Sequence, residues 1–436
     1  MNTTIERWGG RVLALALAGA LAAAGGCAST QGPEKTQVTG TYSFWPTFPD
    51  DPHVQFVRSI NTSQDVAPVQ ASGLEKLVFG KELEKAAVVS KPYGVTMKGG
   101  RIYVADIGSN CVDVLDLKKK ETLLVGASGL NALKRPVAVA VGDDDTMYVA
   151  DIGRGAIMVY GPDGRYTQAF GHPNFKPSSL AVFGDRLYAT DMNGQKVDVY
   201  DRRDGKLLLS FGSVGDEDGQ FRLPIGIATD TKGDVYVVDM LRCRLQKFSP
   251  EGKFIGAVGA MGKVAGSFAR PKHVAVDSEG TVYVVDAAFQ NVQMFDQKFE
   301  LLMHFGAAGD YPGAMDMPVG VCVSDDGLEL FKDRVHPGFE PKHVVIVTNQ
   351  FGADRVSVYA EGGLRKGYTA QDLAKAAAPV TAGTGKATAE DIKMSAPGTV
   401  EPTPPPEGAP GAAPPAAPGP EAPKAPETPA KGTEPK

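Results

Sequence analysis

Five aspartates and one asparagine recur at a single register along this chain: Asp106, Asp151, Asp191, Asp239, Asp286 and Asn349. A ring of carboxylates could hold a cation or share a proton. Each of the six, however, closes a near-identical phrase: RIYVAD, TMYVAD, RLYATD, DVYVVD, TVYVVD or VVIVTN. At the end of a strand, an Asp side chain accepts hydrogen bonds from the backbone N–H groups of the turn that follows. A duty repeated in every unit is architectural, whereas an active site needs asymmetry, so the ring is expected to hold turns.

Asymmetry appears two residues after the proline that opens each unit, where Gly94, Ala138, Ser179, Gly226, His273 and Gly320 stand. Five are small and one is histidine. His273 is therefore expected at the mouth of a central channel, as a metal ligand, a base or a plug. A catalytic zinc usually takes three protein ligands, with His favoured. Of the other histidines, only His172, in FGHPNFKP, is expected on the same face, so a three-His site is disfavoured. No cofactor is expected; a channel metal at His273 and a calcium site of carboxylates and carbonyls stay open.

Cations mark a neighbouring register. Lys91, Arg135, Lys176 and Arg270 directly precede opening prolines, and Arg222 stands one residue earlier. With 45 Lys plus Arg in 436 residues, four of six at one register exceeds what composition supplies. With Arg154 and Arg242 in nearby turns, they are expected to ring one face and attract an anionic glycan, a lipid phosphate or an acidic protein surface. An ordinary solvated rim is the competing expectation. The proline-to-Asp spacing is 14 or 15 residues in five units and 31 in the sixth, through SDDGLELFKDRVHPGFEPKH. Phe331, His336 and Phe339 are the expected contact residues of that inserted loop, unless it caps the channel.

The elements that position these residues follow from the repeat. Pro92, Pro136, Pro177, Pro224, Pro271 and Pro318 are separated by 44, 41, 47, 47 and 47 residues. Four short β-branched or aromatic runs follow each of the first five prolines, divided by Gly, Asp, Asn or Pro, the pattern of strands joined by tight turns. Six such units predict an all-β six-bladed β-propeller. The sixth unit lacks its fourth strand, and VQFVRSI, from Val54 to Ile60, is expected to supply it and close the ring.

The phrasing P-x-G-[IV]-A, YVAD, RLQKF and a strand ending in FG resembles the NHL-repeat family of six-bladed β-propellers, over roughly residues 54–363. The fragment WPTFPDDPHVQFVRSI resembles the lead-in of bacterial NHL-repeat lipoproteins. That resemblance implies an interaction or scaffold role. Fold relatives such as metal-dependent amidating lyases and lactonases coordinate a metal in the channel, which implies the alternative of an enzyme near His273.

The ends point to export. Arg7 and Arg11 precede an uncharged Ala/Leu/Gly run from Val12 to Gly26, shaped as a secretory signal and too short for a membrane span. AAGGCAST then resembles a bacterial lipobox, with Cys27 the lipidated residue, although Ala24 stands where an aliphatic such as Leu is usual. Ala28 after it favours the outer membrane. Residues 1–26 are thus expected as signal peptide, 27–52 as tether, 53–363 as propeller and 364–436 as a Pro/Ala-rich disordered tail, within which KGYTAQDLAKAA could form a single helix and the composition from Thr399 onward cannot bury a core. Such an arm could also act as a spacer toward the cell wall. Cys111, Cys243 and Cys322 have no partner pattern and read as packing residues. The net charge of −6 and the export signal argue against a nucleic-acid partner.

Overall fold

The computed structural model describes residues 42–67 and 89–377. In the first sheet, strands Pro92–Lys98, Arg101–Asp106, Cys111–Asp116 and Glu121–Val125 pair antiparallel in chain order. Sheets opening at Pro136, Pro177, Pro224 and Pro271 repeat that order. Each innermost strand packs on the next, and the sixth, Pro318–Ser324, packs on the first, so the ring closes. The fold is an all-β six-bladed β-propeller.

Sequence pattern explains which strand lies where. Second strands such as Met147–Asp151 and Val235–Asp239 are buried along their whole length, whereas the outermost Tyr166–Phe170 alternates toward solvent. Tyr148, Tyr188 and Tyr236 are at most 1% exposed, and each reaches into the following blade. Their hydroxyls donate to Arg202 O at 2.9 Å, Pro250 O at 3.3 Å and Gln297 Oε1 at 2.9 Å. Apolar burial of the ring and a satisfied hydroxyl act together at each of these interfaces.

The repeated aspartates do what the repeat implies. Asp286 accepts from the N–H groups of Ala269, Arg270, Ala288 and Phe289 at 2.7–3.1 Å. It thereby ties the connection entering its blade to the turn leaving its own strand. Asp151 does the same with Lys134, Arg135, Gly153 and Arg154. Burial alone would raise the Asp106 carboxyl, but donors from Ser90, Lys91, Gly108 and Ser109 hold it below its ordinary value. In the sixth blade Asn349 replaces the carboxylate, accepting from Asp316 N–H and donating to Asp354 O.

The sixth blade is assembled from both ends of the described chain. Val54–Ile60 pairs antiparallel with Val356–Leu364, as expected of the closing strand. A further strand, Phe44–Trp45, adds outside it, so this sheet has five strands. At the other end a capping box of Thr369 and Asp372 starts the short helix Ala370–Ala374, whose Leu373 is fully buried. Tyr42 bridges to Ala377. The packed body therefore reaches beyond both expected limits, 53 and 363. Cys27 and most of the expected tail, like the expected signal peptide, lie outside the described residues.

The inserted loop departs from expectation. It forms two 3-10 turns, Leu328–Leu330 and Lys332–Arg334, then enters the long strand Phe339–Asn349. Phe331, His336 and Phe339 are 3%, 2% and 0% exposed, so they are core residues and not contact residues. The reason is the N-terminal segment: His336 meets Tyr42 and Phe44 edge-on, and Phe339 packs on Phe44. Gln55 fastens the loop from beneath, accepting from His336 N–H at 2.9 Å and donating to Arg334 O at 3.1 Å.

Replacing a cap should cost far more than replacing an exposed neighbour. Asp286→Ala strands four backbone donors and is expected to lower unfolding free energy by about 3 kcal/mol. Arg270→Ala, beside it and exposed, should change stability by less than about 0.5 kcal/mol. Urea unfolding of the two variants measures the difference.

Candidate functional site: the loop face and the channel mouth

Strand register decides which residues share a face. Each innermost strand starts opposite the end of its second strand, as Pro271 opposite Asp286 and Pro136 opposite Asp151. The turns from second to third strand and the connections between blades therefore all lie at one end of the ring, called here the loop face. Lys91, Arg135, Lys176, Arg222 and Arg270 all belong to it, whereas the blade-six insertion lies at the opposite end.

The five cations differ in what they meet. Arg222 makes a bidentate pair with Asp216 at 2.7 and 2.8 Å, and Arg242 joins the same carboxylate at 3.1 Å. Lys91 lies over the Phe351 ring, 5.5 Å from its centre. Arg154 donates to Ala132 O and Leu130 O. Arg135, Lys176 and Arg270 are exposed and have no carboxylate partner among the described residues. Lys272, half-buried beside Arg270, is held below its ordinary pKa by desolvation and by that neighbour.

Apolar residues stand among these cations. Leu130, Val214, Leu241, Met261, Val264 and Phe351 are 47–95% exposed, and all sit on the turns and inter-blade connections of this one face, Val214 in the short strand Ser213–Val214. The other exposed large apolar residues, such as Leu124, Leu208 and Ile255, belong to outermost strands. The sequence reading missed the apolar half of the face, although GAMGKVAG, an apolar-bearing run between two strands, carries its signal.

The channel mouth is built differently from what small side chains suggest. A Cβ on Gly226 would stand 2.7 Å from Lys272 O, and one on Gly320 would stand 2.4 Å from Tyr93 O. These residues are small because neighbouring innermost strands touch there. His273 spans the opening: its Nδ1 meets Val321 O at 3.2 Å and its Nε2 meets the Ser179 hydroxyl at 3.0 Å. Ser179 Oγ in turn accepts from Ile227 N–H. The imidazole thus links blades three, five and six, and desolvation lowers its pKa to about 4 despite the bond to Val321. Of the three roles expected for it, this geometry matches the plug. The cavity behind it is about 200 Å³ and lined mostly by Val, Ala and Leu from the innermost strands.

The opposite mouth is acidic, with Asp230, Asp277, Asp325 and Asp326 around a cavity of about 430 Å³. His343 meets Asp325 at 2.6 Å, and burial pushes the nearby Glu361 carboxyl up to about 7. Cys111, Cys243 and Cys322 are free thiols, buried as packing residues. Burial raises the pKa of all three, which leaves them poor nucleophiles.

Comparison with a protein-family model agrees on architecture. A family model described as a 6-bladed beta-propeller, DUF5128, matches residues 217–304. Among solved structures, a streptogramin B lyase is 12% identical over 64% of this chain and 95% of its own, with a TM-score of 0.46. A virginiamycin B lyase from Staphylococcus aureus is 11% identical over 62% and 95%, with a TM-score of 0.43. A protein of unknown function from Bacteroides thetaiotaomicron is 14% identical over 71% and 75%, with a TM-score of 0.48. None of these likenesses carries an activity to this chain, which is placed by its own repeat and topology as a six-bladed propeller.

Proposed function

We propose that the propeller is a binding module of the cell envelope, and that its loop face docks an acidic patch on a partner protein. The observation that carries this reading is the coincidence, on one face, of Arg135, Lys176 and Arg270, which have no carboxylate partner among the described residues, with exposed Leu130, Met261 and Val264. Apolar residues provide the area that a stable protein contact needs, and cations select and steer the partner. An anionic glycan or lipid would use the charges but leave the apolar residues in water. In this reading Cys27 carries the lipid that holds the module at the membrane.

The alternative, a metal-dependent lyase or lactonase acting at His273, requires Nε2 to exchange its bond with the Ser179 hydroxyl for a metal, while Nδ1 could keep Val321 O. Both of its ring nitrogens are engaged within the ring. Nothing else in the geometry around it favours that reading.

Reversing three charges tests the docking face. Arg135→Glu, Lys176→Glu and Arg270→Glu together should weaken partner capture by about tenfold or more, since each exposed pair is worth up to about 1 kcal/mol. Photo-crosslinkers at Leu130 and Val264 should label the partner at low salt and less at high salt. Equal capture by the charge-reversed protein would refute the reading, and binding to anionic vesicles alone would replace the protein partner with a lipid. Cys27→Ser should release the protein from the membrane fraction; retention there would refute the anchor.

The plug makes a separate prediction. The folded pKa of His273 lies below its unfolded value, so the folded state resists a proton that the unfolded chain accepts. Stability associated with His273 is therefore complete above about pH 6.5 and is lost as pH falls toward 4, by roughly 3 kcal/mol. The stability gap between the protein and His273→Asn should narrow over that window in urea melts at successive pH values. A gap independent of pH would contradict the neutral plug.

A further inference from the structure

The third blade departs from its neighbours at one atom. In blades one, two, four and five, the carboxylate that ends the second strand uses both oxygens on the incoming connection. The Oδ2 atoms of Asp106, Asp151, Asp239 and Asp286 accept from Ser90, Lys134, Arg222 and Ala269 at 2.6–2.9 Å. The equivalent donor in blade three is Phe175 N–H, and it is turned aside to His172 O. Asp191 keeps its Oδ1 bonds to Lys176 and Asn193, but its Oδ2 is buried with no hydrogen-bond partner. Asp191 is 1% exposed, so water does not compensate this oxygen freely.

What the free oxygen faces is specific. His172 Nε2 lies 3.6 Å from Asp191 Oδ2 and is hydrogen-bonded at 2.9 Å to Oδ2 of the fully buried Asp198, a contact that an ion between the two would replace. One nitrogen and two carboxylate oxygens thus converge, all within 4.8 Å of one another. Among the described residues this is the one group of three or more such side chains at that spacing. The remaining atoms of the three residues are already occupied. His172 Nδ1 bonds Pro173 O at 3.0 Å, Asp198 Oδ1 takes Lys196 at 2.7 Å and the Ser210 hydroxyl, and Asp191 Oδ1 takes two backbone donors.

We propose that His172, Asp191 and Asp198 form a binding site for a divalent transition-metal ion on blade three, away from the channel. The separations suit an ion about 2.0–2.2 Å from each donor after a small adjustment. A carbonyl on the far ring nitrogen, and donors on the far carboxylate oxygens, are the outer contacts that orient metal ligands. His172 is about a third exposed, which leaves a further coordination position open toward solvent. One imidazole with two carboxylates favours zinc, manganese, iron or cobalt over a purely oxygen-seeking ion. The same register elsewhere shows the contrast. In blade one Asp113 has no facing histidine, and desolvation with nearby Asp106 pushes its carboxyl up to about 8. Blades four and five carry Gln246 and Gln293 there, each bonding a connecting loop.

The test uses the untagged full chain, stripped with chelator and titrated with cobalt(II) at pH 7.5. A saturable visible absorption band at one equivalent, displaced by zinc, with a rise in melting temperature, is the expected result. His172→Gln and Asp198→Asn should each weaken the ion at least tenfold, and melting temperature without metal shows that both variants fold. If Asp198→Asn fails to fold, the partly exposed His172→Gln decides alone. An absence of saturable binding, or binding unchanged in a folded His172→Gln protein, would overturn the site. His273→Asn should leave cobalt binding as it was; loss there would move the ion to the channel and equally overturn it.

Discussion

A buried carboxylate that gathers backbone N–H groups from two separate chain segments is the interaction on which this ring depends. Burying an ionised side chain is costly unless it is hydrogen-bonded, and the caps meet that cost with several donors each. Asp286, with Ala269, Arg270, Ala288 and Phe289, fixes both where the chain enters a blade and where it turns back. The loop face hangs from these points. Because the caps hold the backbone, the side chains just before each proline are free to vary, and cations fill that register without disturbing the fold.

The same constraint explains where individuality can arise. When the connection into blade three diverts one donor to His172, Asp191 retains its capping bonds and still releases an oxygen. When the turn of blade six lengthens, Asn349 supplies both a donor and an acceptor to span it. Each exception keeps the strand end fixed and changes only what is presented beyond it. His273 is a third kind: a large residue at a position of close strand contact, tolerated because it reaches across the axis to blades three and six.

Most of the architecture was legible because a propeller repeats a local rule, and six copies of a rule can be compared. Proline spacing, strand phrases and the capping aspartates are all local, and so was the displaced closing strand, betrayed by a gap in the sixth copy. The insertion was misread for the opposite reason. Phe331, His336 and Phe339 are covered by Tyr42, Phe44 and Gln55, nearly 300 residues earlier in the chain. Of the rim cations, Arg222 could not be told from Arg135 by sequence, since what separates them is Asp216 folded back on the first. The grouping of His172 with Asp198 depends on how the connection entering blade three folds onto that blade's third strand, which no spacing in the loop reveals.

The bridge between Tyr42 and Ala377 has a mechanical meaning. The two segments run parallel there, with Tyr42 N–H donating to Ala376 O at 3.0 Å. A chain held at its N-terminal side and pulled at its C-terminal side would load that contact in shear, directly from one segment to the other. Tension would pass along the flank of the sixth blade without crossing the seams between the other five. Only after the bridge parted would force reach the Phe44–Trp45 strand and the helix at Ala370–Ala374. The ring would keep its shape while its two leads were drawn apart.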